Sequence, residues 1–71
     1  MPVVNIAMLK GRSIEQKRKL VKSLTEVMAE ILEIKPEVIS IIIEEMDWDN
    51  WATAGEIHSD KFGPGPVKKG L

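Results

Sequence analysis

The chain has 71 residues, a formal net charge of −1 at pH 7, one histidine and no cysteine. A chain of this length corresponds to one small domain, and small domains usually depend on disulfides, a structural metal or oligomerisation. The absence of cysteine excludes disulfides and thiolate metal sites, and a single histidine cannot build an imidazole-rich metal site. The near-neutral charge argues against nucleic-acid binding. Oligomerisation is therefore the expected route to stability.

The hydropathy pattern argues against a membrane partner. No apolar run approaches the length that crosses a bilayer, and the first residues lack the basic start and apolar core of a secretion signal. A cytoplasmic location is the default expectation. The apolar fraction, 44% of residues, is high enough to support both a core and subunit interfaces.

The first predicted element is a strand from Val3 to Leu9, rich in β-branched and apolar residues. Pro2 precedes it directly, and removal of Met1 by a methionine aminopeptidase would leave the strand with a free secondary amine. An α-amino group has a reference pKa of roughly 8, and apolar surroundings or nearby cations lower the pKa further. Pro2 is therefore a candidate general base. The alternative is a proline at a strand start, where its missing N–H costs no ladder bond.

A helix is predicted from about Ile14 to Glu33. Ser13 is its candidate N-cap, and Gln16 three residues later completes a capping box. Apolar residues then recur at three- and four-residue spacings and predict one apolar stripe on the helix. The stripe consists of Leu20, Leu24, Val27, Met28, Ile31 and Leu32. Pro36 ends the helical region because it disfavours helical geometry at the residue before it.

The second predicted strand runs from Val38 to Ile43 and is nearly apolar throughout. This pattern is typical of a parallel strand buried on both faces. Strand, helix and strand make one right-handed βαβ unit, so an α+β fold with a β-α-β subunit is expected. Two strands and one helix leave a sheet face and strand edges uncovered. The sequence therefore predicts that identical subunits cover each other.

The C-terminal third is predicted to hold only short elements. Residues 48–51 have the composition of a tight turn, and residues 52–57 that of a short hairpin. The predicted single domain spans residues 1–62. Residues 63–71 form a Gly/Pro/Lys tail with linker composition, which we expect to be flexible.

Three segments form an informative ordered set, although none of them is distinctive alone. They are Pro2, Leu9-Lys10-Gly11-Arg12-Ser13 with Glu15-Gln16-Lys17 after it, and Ile41-Ile42-Ile43-Glu44-Glu45-Met46. Over roughly residues 2 to 57 this set resembles the 4-oxalocrotonate tautomerase family. The resemblance implies two subunits sharing a four-stranded sheet, and a homo-hexamer built from three such dimers. It also implies keto–enol tautomerisation of a small-molecule acid without a metal or an organic cofactor.

The resemblance further implies roles for individual residues. Pro2 would shuttle a proton between an enol oxygen and a carbon of the substrate, and Arg12 would bind a substrate carboxylate. Trp51 matches the position of an aromatic residue that contacts the substrate, although the nearby Trp48 could take that role instead. Leu9 could line the pocket. The alternatives are a solvated loop arginine for Arg12, interface packing for Trp51 and core packing for Leu9.

One position departs from the family pattern. The type enzyme has a second arginine on strand two, and the aligned residue here is Ser40. A single arginine suits a monocarboxylate enol, such as an arylpyruvate-type enol, better than the dicarboxylate 2-hydroxymuconate. Ser40 could donate a hydrogen bond to the enol oxygen. Lys10 or Lys35 could supply a replacement cation, with solvated surface lysines as the alternative.

Two further interpretations stay open. Glu56, His58 and Asp60 have the alternating spacing with which a strand could touch a metal, but with one histidine and no other ligand in view we expect no metal site. The second concerns function, because Ser40 in place of arginine and the lysine-rich tail also suit a non-catalytic oligomer. Such an oligomer would bind a small acid or a protein on the same scaffold.

Overall fold

The computed structural model of the chain describes residues 1–63. Its helices and strands are β1 (Val3–Leu9), α1 (Ile14–Leu32), β2 (Ser40–Met46), β3 (Ala52–Thr53), β4 (Glu56–Ile57) and α2 (His58–Phe62). β1 and β2 form a parallel two-stranded sheet, and β3 pairs antiparallel with β4. The predicted α+β class, with a β-α-β subunit and a C-terminal hairpin, is confirmed.

The chain divides into two compact units. The first unit comprises residues 1–6 and 13–43, and the second comprises residues 7–12 and the described residues from 44 onward. The tail predicted over residues 63–71 lies outside the described residues after Gly63. A single domain over residues 1–62 stays a prediction.

Helix α1 begins where its capping box predicts. The Ser13 side-chain oxygen accepts a hydrogen bond from the Gln16 backbone N–H at 3.1 Å, and the Ser13 N–H donates to Gln16 Oε1 at 3.0 Å. Two N–H groups that the helix itself cannot satisfy are thereby paired. The helix ends at Glu33, which adopts the left-handed region at φ 55° while its N–H donates to the Ala29 carbonyl.

The predicted apolar stripe of α1 is only partly buried. Leu20, Leu24 and Met28 are half-buried, which agrees with one packed face, but the side chains of the others are exposed. The exposed members are Val27, Ile31 and Leu32. The apolar stripe is therefore wider than the face that the chain itself covers.

Strand β2 begins two residues later and ends three residues later than the predicted Val38–Ile43 range. Pro36–Val38 form a 3₁₀ turn, in which the Ile39 N–H donates to the Pro36 carbonyl at 3.1 Å. Proline suits the first position of such a turn because its missing N–H has no partner there. The strand then continues to Met46, because the charged pair at 44 and 45 sits on exposed positions.

The hairpin is confirmed, and a short helix follows it. Ala54 and Gly55 connect the strands with φ values of 54° and 79°. Two consecutive positive φ angles are characteristic of the two-residue turns whose twist matches paired strands. α2 begins at His58 with no side-chain cap, and nothing in its sequence predicted it. Within residues 1–63 no helix is long and apolar enough to cross a membrane.

Candidate active site

Pro2 and Ser40 are brought together in the first unit. The Ser40 backbone N–H donates to the Pro2 carbonyl at 3.1 Å. Proline fits this position because it lies just before β1 and has no N–H to leave unpaired. Pro2 is half-buried and Ser40 is exposed. A backbone hydrogen bond from Ser40, at the start of β2, therefore fixes the position of Pro2, the expected proton shuttle.

The Pro2 nitrogen is an amide while Met1 is attached, and an amide nitrogen is not a base at neutral pH. Met1 is 91% exposed. An exposed terminal residue is accessible to an aminopeptidase. Removal of Met1 would convert the Pro2 nitrogen into a secondary amine.

Leu9 and Arg12 lie in the second unit, at the end of β1 and in the turn that follows it. Both side chains are half-buried. The Lys10 N–H donates to the Met46 carbonyl at 3.0 Å, which fixes the end of β1 against the end of β2. Gly11 then adopts φ 129°, a conformation that residues with a side chain rarely adopt. A glycine is therefore required immediately before Arg12.

Lys10 is engaged in an ion pair. Its Nζ lies 2.8 Å from Asp47 Oδ1, and the hydrogen bond to this carboxylate raises the pKa of Lys10. Asp47 also opens the next turn, where its carbonyl accepts from the Asn50 N–H at 2.9 Å. If Lys10 replaced the missing arginine, a substrate carboxylate would have to compete with Asp47 for the Lys10 ammonium group. Lys35, the other lysine considered, is exposed before the 3₁₀ turn.

The two tryptophans have different environments. Trp48 is the buried hydrophobic residue of the described chain, at 3% exposure, and its Nε1–H donates to the Lys10 carbonyl at 3.2 Å. Trp51 is half-buried. A ring sealed in the interior cannot touch a substrate, whereas a partly exposed ring can. Of the two tryptophans, the environment favours Trp51 for the aromatic role.

His58, which the sequence suggested only as a possible metal ligand, lies beside both tryptophans. Its ring packs edge-on against Trp48 and Trp51, each at a centroid distance of 6.2 Å, and against Phe62 at 5.2 Å. The chain contains two tryptophans, one phenylalanine and one histidine, and all of them meet in this cluster. Their confinement to residues 48–62 was a signal that could have predicted the cluster.

The proposed alternation of Glu56, His58 and Asp60 ends at Ile57, because His58 is the first residue of α2. Strand spacing therefore does not apply to this trio. In the described chain, no group of three or more histidine or acidic residues is arranged to hold a metal ion.

The comparison with known proteins agrees with this architecture. A family model described as tautomerase enzyme matches residues 2–61. A probable tautomerase of Halalkalibacterium halodurans is 46% identical over 61 residues, covering 86% of this chain and 100% of the relative. A 2-hydroxymuconate tautomerase of Bacillus subtilis is 47% identical over 60 residues, covering 84% of this chain and 97% of the relative.

Solved structures show the same fold. The crystal structure of a 4-oxalocrotonate tautomerase homologue superimposes with a TM-score of 0.82 at 39% identity, covering 86% of this chain and 97% of that one. A heterohexamer 4-oxalocrotonate tautomerase from Chloroflexus aurantiacus gives a TM-score of 0.77 at 32% identity, covering 87% of this chain and 98% of that one. The fold, the matched length and these relatives together place the chain in the tautomerase family.

Proposed function

We propose that this protein is a cofactor-independent keto–enol tautomerase in which the amine of Pro2, freed by removal of Met1, is the general acid and base. The observation that carries the proposal is the family match, which begins at residue 2 and continues to residue 61. The exposure of Met1 and the position of Pro2 at the start of β1 are compatible with it.

The proposed reaction moves one proton within the substrate. The neutral Pro2 nitrogen takes the proton of the enol hydroxyl, so an O–H bond breaks and an N–H bond forms. The electron pair of the enolate then shifts toward carbon as the carbonyl forms. The Pro2 ammonium returns its proton to that carbon, so the amine is regenerated and the net change is an isomerisation. An amine with a pKa near neutrality serves both steps.

Arg12 is proposed to bind the substrate carboxylate. A guanidinium group holds a carboxylate through two parallel hydrogen bonds, which fixes the orientation of the acid and withdraws electron density from it. Trp51 is proposed to pack against the substrate, with Leu9 as a further lining residue. Ser40 would donate a hydrogen bond to the enol oxygen.

The substrate class follows from the number of arginines. The proposed substrate is a 2-hydroxy-dienoate or an enolpyruvate-type acid, and one arginine is sufficient for one carboxylate. The Bacillus subtilis relative is named for 2-hydroxymuconate, a dicarboxylate. A comparison of 2-hydroxymuconate with phenylenolpyruvate therefore tests the expected preference for a substrate with one carboxylate.

We also propose that the protein is a homo-oligomer, with a hexamer of three dimers as the specific arrangement and a four-stranded sheet in each dimer. Exposed apolar side chains on α1 and on both long strands support this proposal, since Ile31 is 72%, Val3 54% and Ile42 49% exposed. Exposed apolar surface of this kind is typical of an interface. A related tautomerase forms a heterohexamer.

The test is an ultraviolet assay of phenylenolpyruvate and 2-hydroxymuconate with protein shown by intact mass to lack Met1. We expect Pro2→Ala to lower kcat by about 10²- to 10⁴-fold, the usual contribution of a positioned acid–base group. We expect Arg12→Ala to raise KM by about 10- to 100-fold, because a charged hydrogen-bonding partner is lost. Arg18→Ala is the matched control, since Arg18 is an exposed arginine of α1.

Three results would contradict the proposal or one of its residue roles. Full activity in protein that retains Met1 would exclude the Pro2 amine as the base. Absence of turnover on both substrates after Met1 removal would favour the non-catalytic binding scaffold. Equal effects of Arg12→Ala and Arg18→Ala would show only a general loss of positive charge.

A further inference from the structure

His58 packs against Trp51 but belongs neither to the proposed proton-transfer group nor to the proposed carboxylate-binding group. The hairpin register pairs Ala52 with Ile57 and Thr53 with Glu56. The next outward pair is Trp51 and His58, and the His58 N–H donates to the Trp51 carbonyl at 2.8 Å. Residues in opposite positions of a hairpin are cross-strand neighbours, whose side chains support each other.

The imidazole ring of His58 is held by the same hairpin. Its Nε2 lies 3.0 Å from Thr53 Oγ1, which is within hydrogen-bonding distance. A neutral imidazole has one N–H and one bare nitrogen, and the threonine hydroxyl can serve either as acceptor or as donor. The ring is therefore oriented by a polar contact in addition to its aromatic neighbours.

The other ring nitrogen of His58, Nδ1, has a different environment. Nδ1 is buried and has no hydrogen-bond partner. A buried polar atom without a partner is unfavourable, so a purely structural position would be better served by a phenylalanine or leucine. The ring thus combines an edge-on contact with Trp51 and a polar contact with Thr53, which an apolar side chain could not provide.

We propose that His58, oriented by Thr53, is a positioning residue that sets the orientation of the Trp51 indole and thereby the affinity for substrate. This inference rests on the proposed function, because it takes Trp51 as the aromatic wall of the substrate site. His58 itself touches neither the substrate nor the transferred proton. Its effect is therefore on substrate binding and not on proton transfer.

The variants separate positioning from general packing. His58→Ala removes the ring, whereas Thr53→Val keeps the branched shape of residue 53 and removes its hydroxyl. Phe62→Leu is the control for packing, because the aromatic contacts of Phe62 are with Trp48 and His58. All variants are prepared without Met1 and compared with the wild type at one protein concentration.

We expect His58→Ala to raise KM by about 3- to 10-fold, the range expected for loss of one aromatic pair. kcat should stay within about twofold of the wild type, since Pro2 is unaltered and only substrate binding depends on His58. Thr53→Val should shift KM in the same direction by less. Phe62→Leu should lower the midpoint of thermal unfolding and raise KM by less than His58→Ala does, because a leucine still packs against His58.

A spectroscopic measurement tests the positioning without turnover. Protein labelled with 5-fluorotryptophan gives one ¹⁹F resonance for each of its two tryptophans, which Trp51→Phe assigns. We expect His58→Ala and Thr53→Val to shift the Trp51 resonance. A KM that rises equally in His58→Ala and Phe62→Leu, or an unshifted Trp51 resonance in His58→Ala, would overturn the inference.

Failure of this inference is distinguishable from failure of the proposed function. If the wild type lacking Met1 shows no turnover, the tautomerase proposal fails, and with it the role of His58 in substrate affinity. The ¹⁹F measurement still tests whether His58 orients Trp51, because it requires no substrate. If the wild type turns over and Pro2→Ala abolishes turnover, an unchanged KM in His58→Ala contradicts the His58 inference alone.

Discussion

The two units of the chain achieve stability in different ways. The second unit encloses its own aromatic cluster, in which Trp48 is 3% exposed and donates a hydrogen bond from its indole to the Lys10 carbonyl. The first unit exposes several large apolar side chains. They are Val3, Ile14, Val27, Ile31, Leu32 and Ile42. The second unit therefore has a local core, whereas the first exposes apolar surface that association of copies would cover.

This contrast indicates how a chain of 71 residues can be stable. A domain of this size buries too little apolar surface to be more than marginally stable alone. Trp51 packs edge-on against His58 of the aromatic cluster, and association of copies would bury the exposed faces of α1 and the sheet.

Trp48→Ala should cause the largest loss of stability. Removal of a buried tryptophan costs about 3–5 kcal/mol in the free energy of unfolding, and the Lys10 carbonyl also loses its donor. Urea denaturation followed by far-ultraviolet circular dichroism measures the change. Trp51→Ala is the matched control, since its ring is only half-buried. A larger loss in Trp51→Ala than in Trp48→Ala would contradict the account of the local core.

Ile31→Lys should weaken association of the subunits. Burial of one isoleucine side chain contributes about 1.5–3 kcal/mol, so we expect the dissociation constant to rise by about 10- to 100-fold. Sedimentation velocity over a dilution series measures it. Ser23→Lys adds the same charge at an exposed polar position of α1. Unchanged assembly in Ile31→Lys would show that this face is not an interface.

Ser13→Ala should reduce stability moderately. The substitution removes the acceptor for the Gln16 N–H, and loss of an N-cap costs about 1 kcal/mol. Ser13→Asp retains an acceptor and should preserve the midpoint of thermal unfolding. A midpoint for Ser13→Ala equal to that of the wild type would indicate that the capping box contributes nothing to α1.

Lys10→Met should have the smallest effect, because the ion pair with Asp47 is exposed and screened by salt. The pKa of Lys10 is raised in the folded state, so its contribution is present below the unfolded pKa of roughly 10.4. It is lost as the pH rises through the higher folded pKa. We expect the difference in unfolding midpoint between wild type and Lys10→Met to be small, to vanish in high salt and to decline above pH 10.4. A difference that grows with pH would contradict this assignment.

The sequence predicted the elements that local signals define. The capping box located the start of α1, and the run of β-branched residues located β1. The start of β2 was wrong because Pro36–Val38 form a 3₁₀ turn, and its end was wrong because the charged Glu44 and Glu45 continue the strand at exposed positions. The helix α2 was missed because His58 and Phe62 make long-range contacts with Trp48, and no local cap marks them.

The candidate site was predictable in part. Residues Pro2 and Ser40 are far apart in sequence, and only the pairing of β1 with β2 brings their backbones together. The choice between Trp48 and Trp51 required burial, which residue type alone does not determine. His58 was considered only as a metal ligand, since its aromatic neighbours depend on the turn at Trp48–Asn50 and on α2.

The claim that the free Pro2 amine accepts the proton is tested most directly by two measurements on one sample. Intact mass establishes whether Met1 is absent, and an ultraviolet assay of phenylenolpyruvate ketonisation on the same protein measures turnover. We expect saturable turnover when Met1 is absent, and we expect turnover to be lost in a sample engineered to retain Met1. Equal turnover with and without Met1 would contradict it, because an amide nitrogen at Pro2 cannot accept the proton.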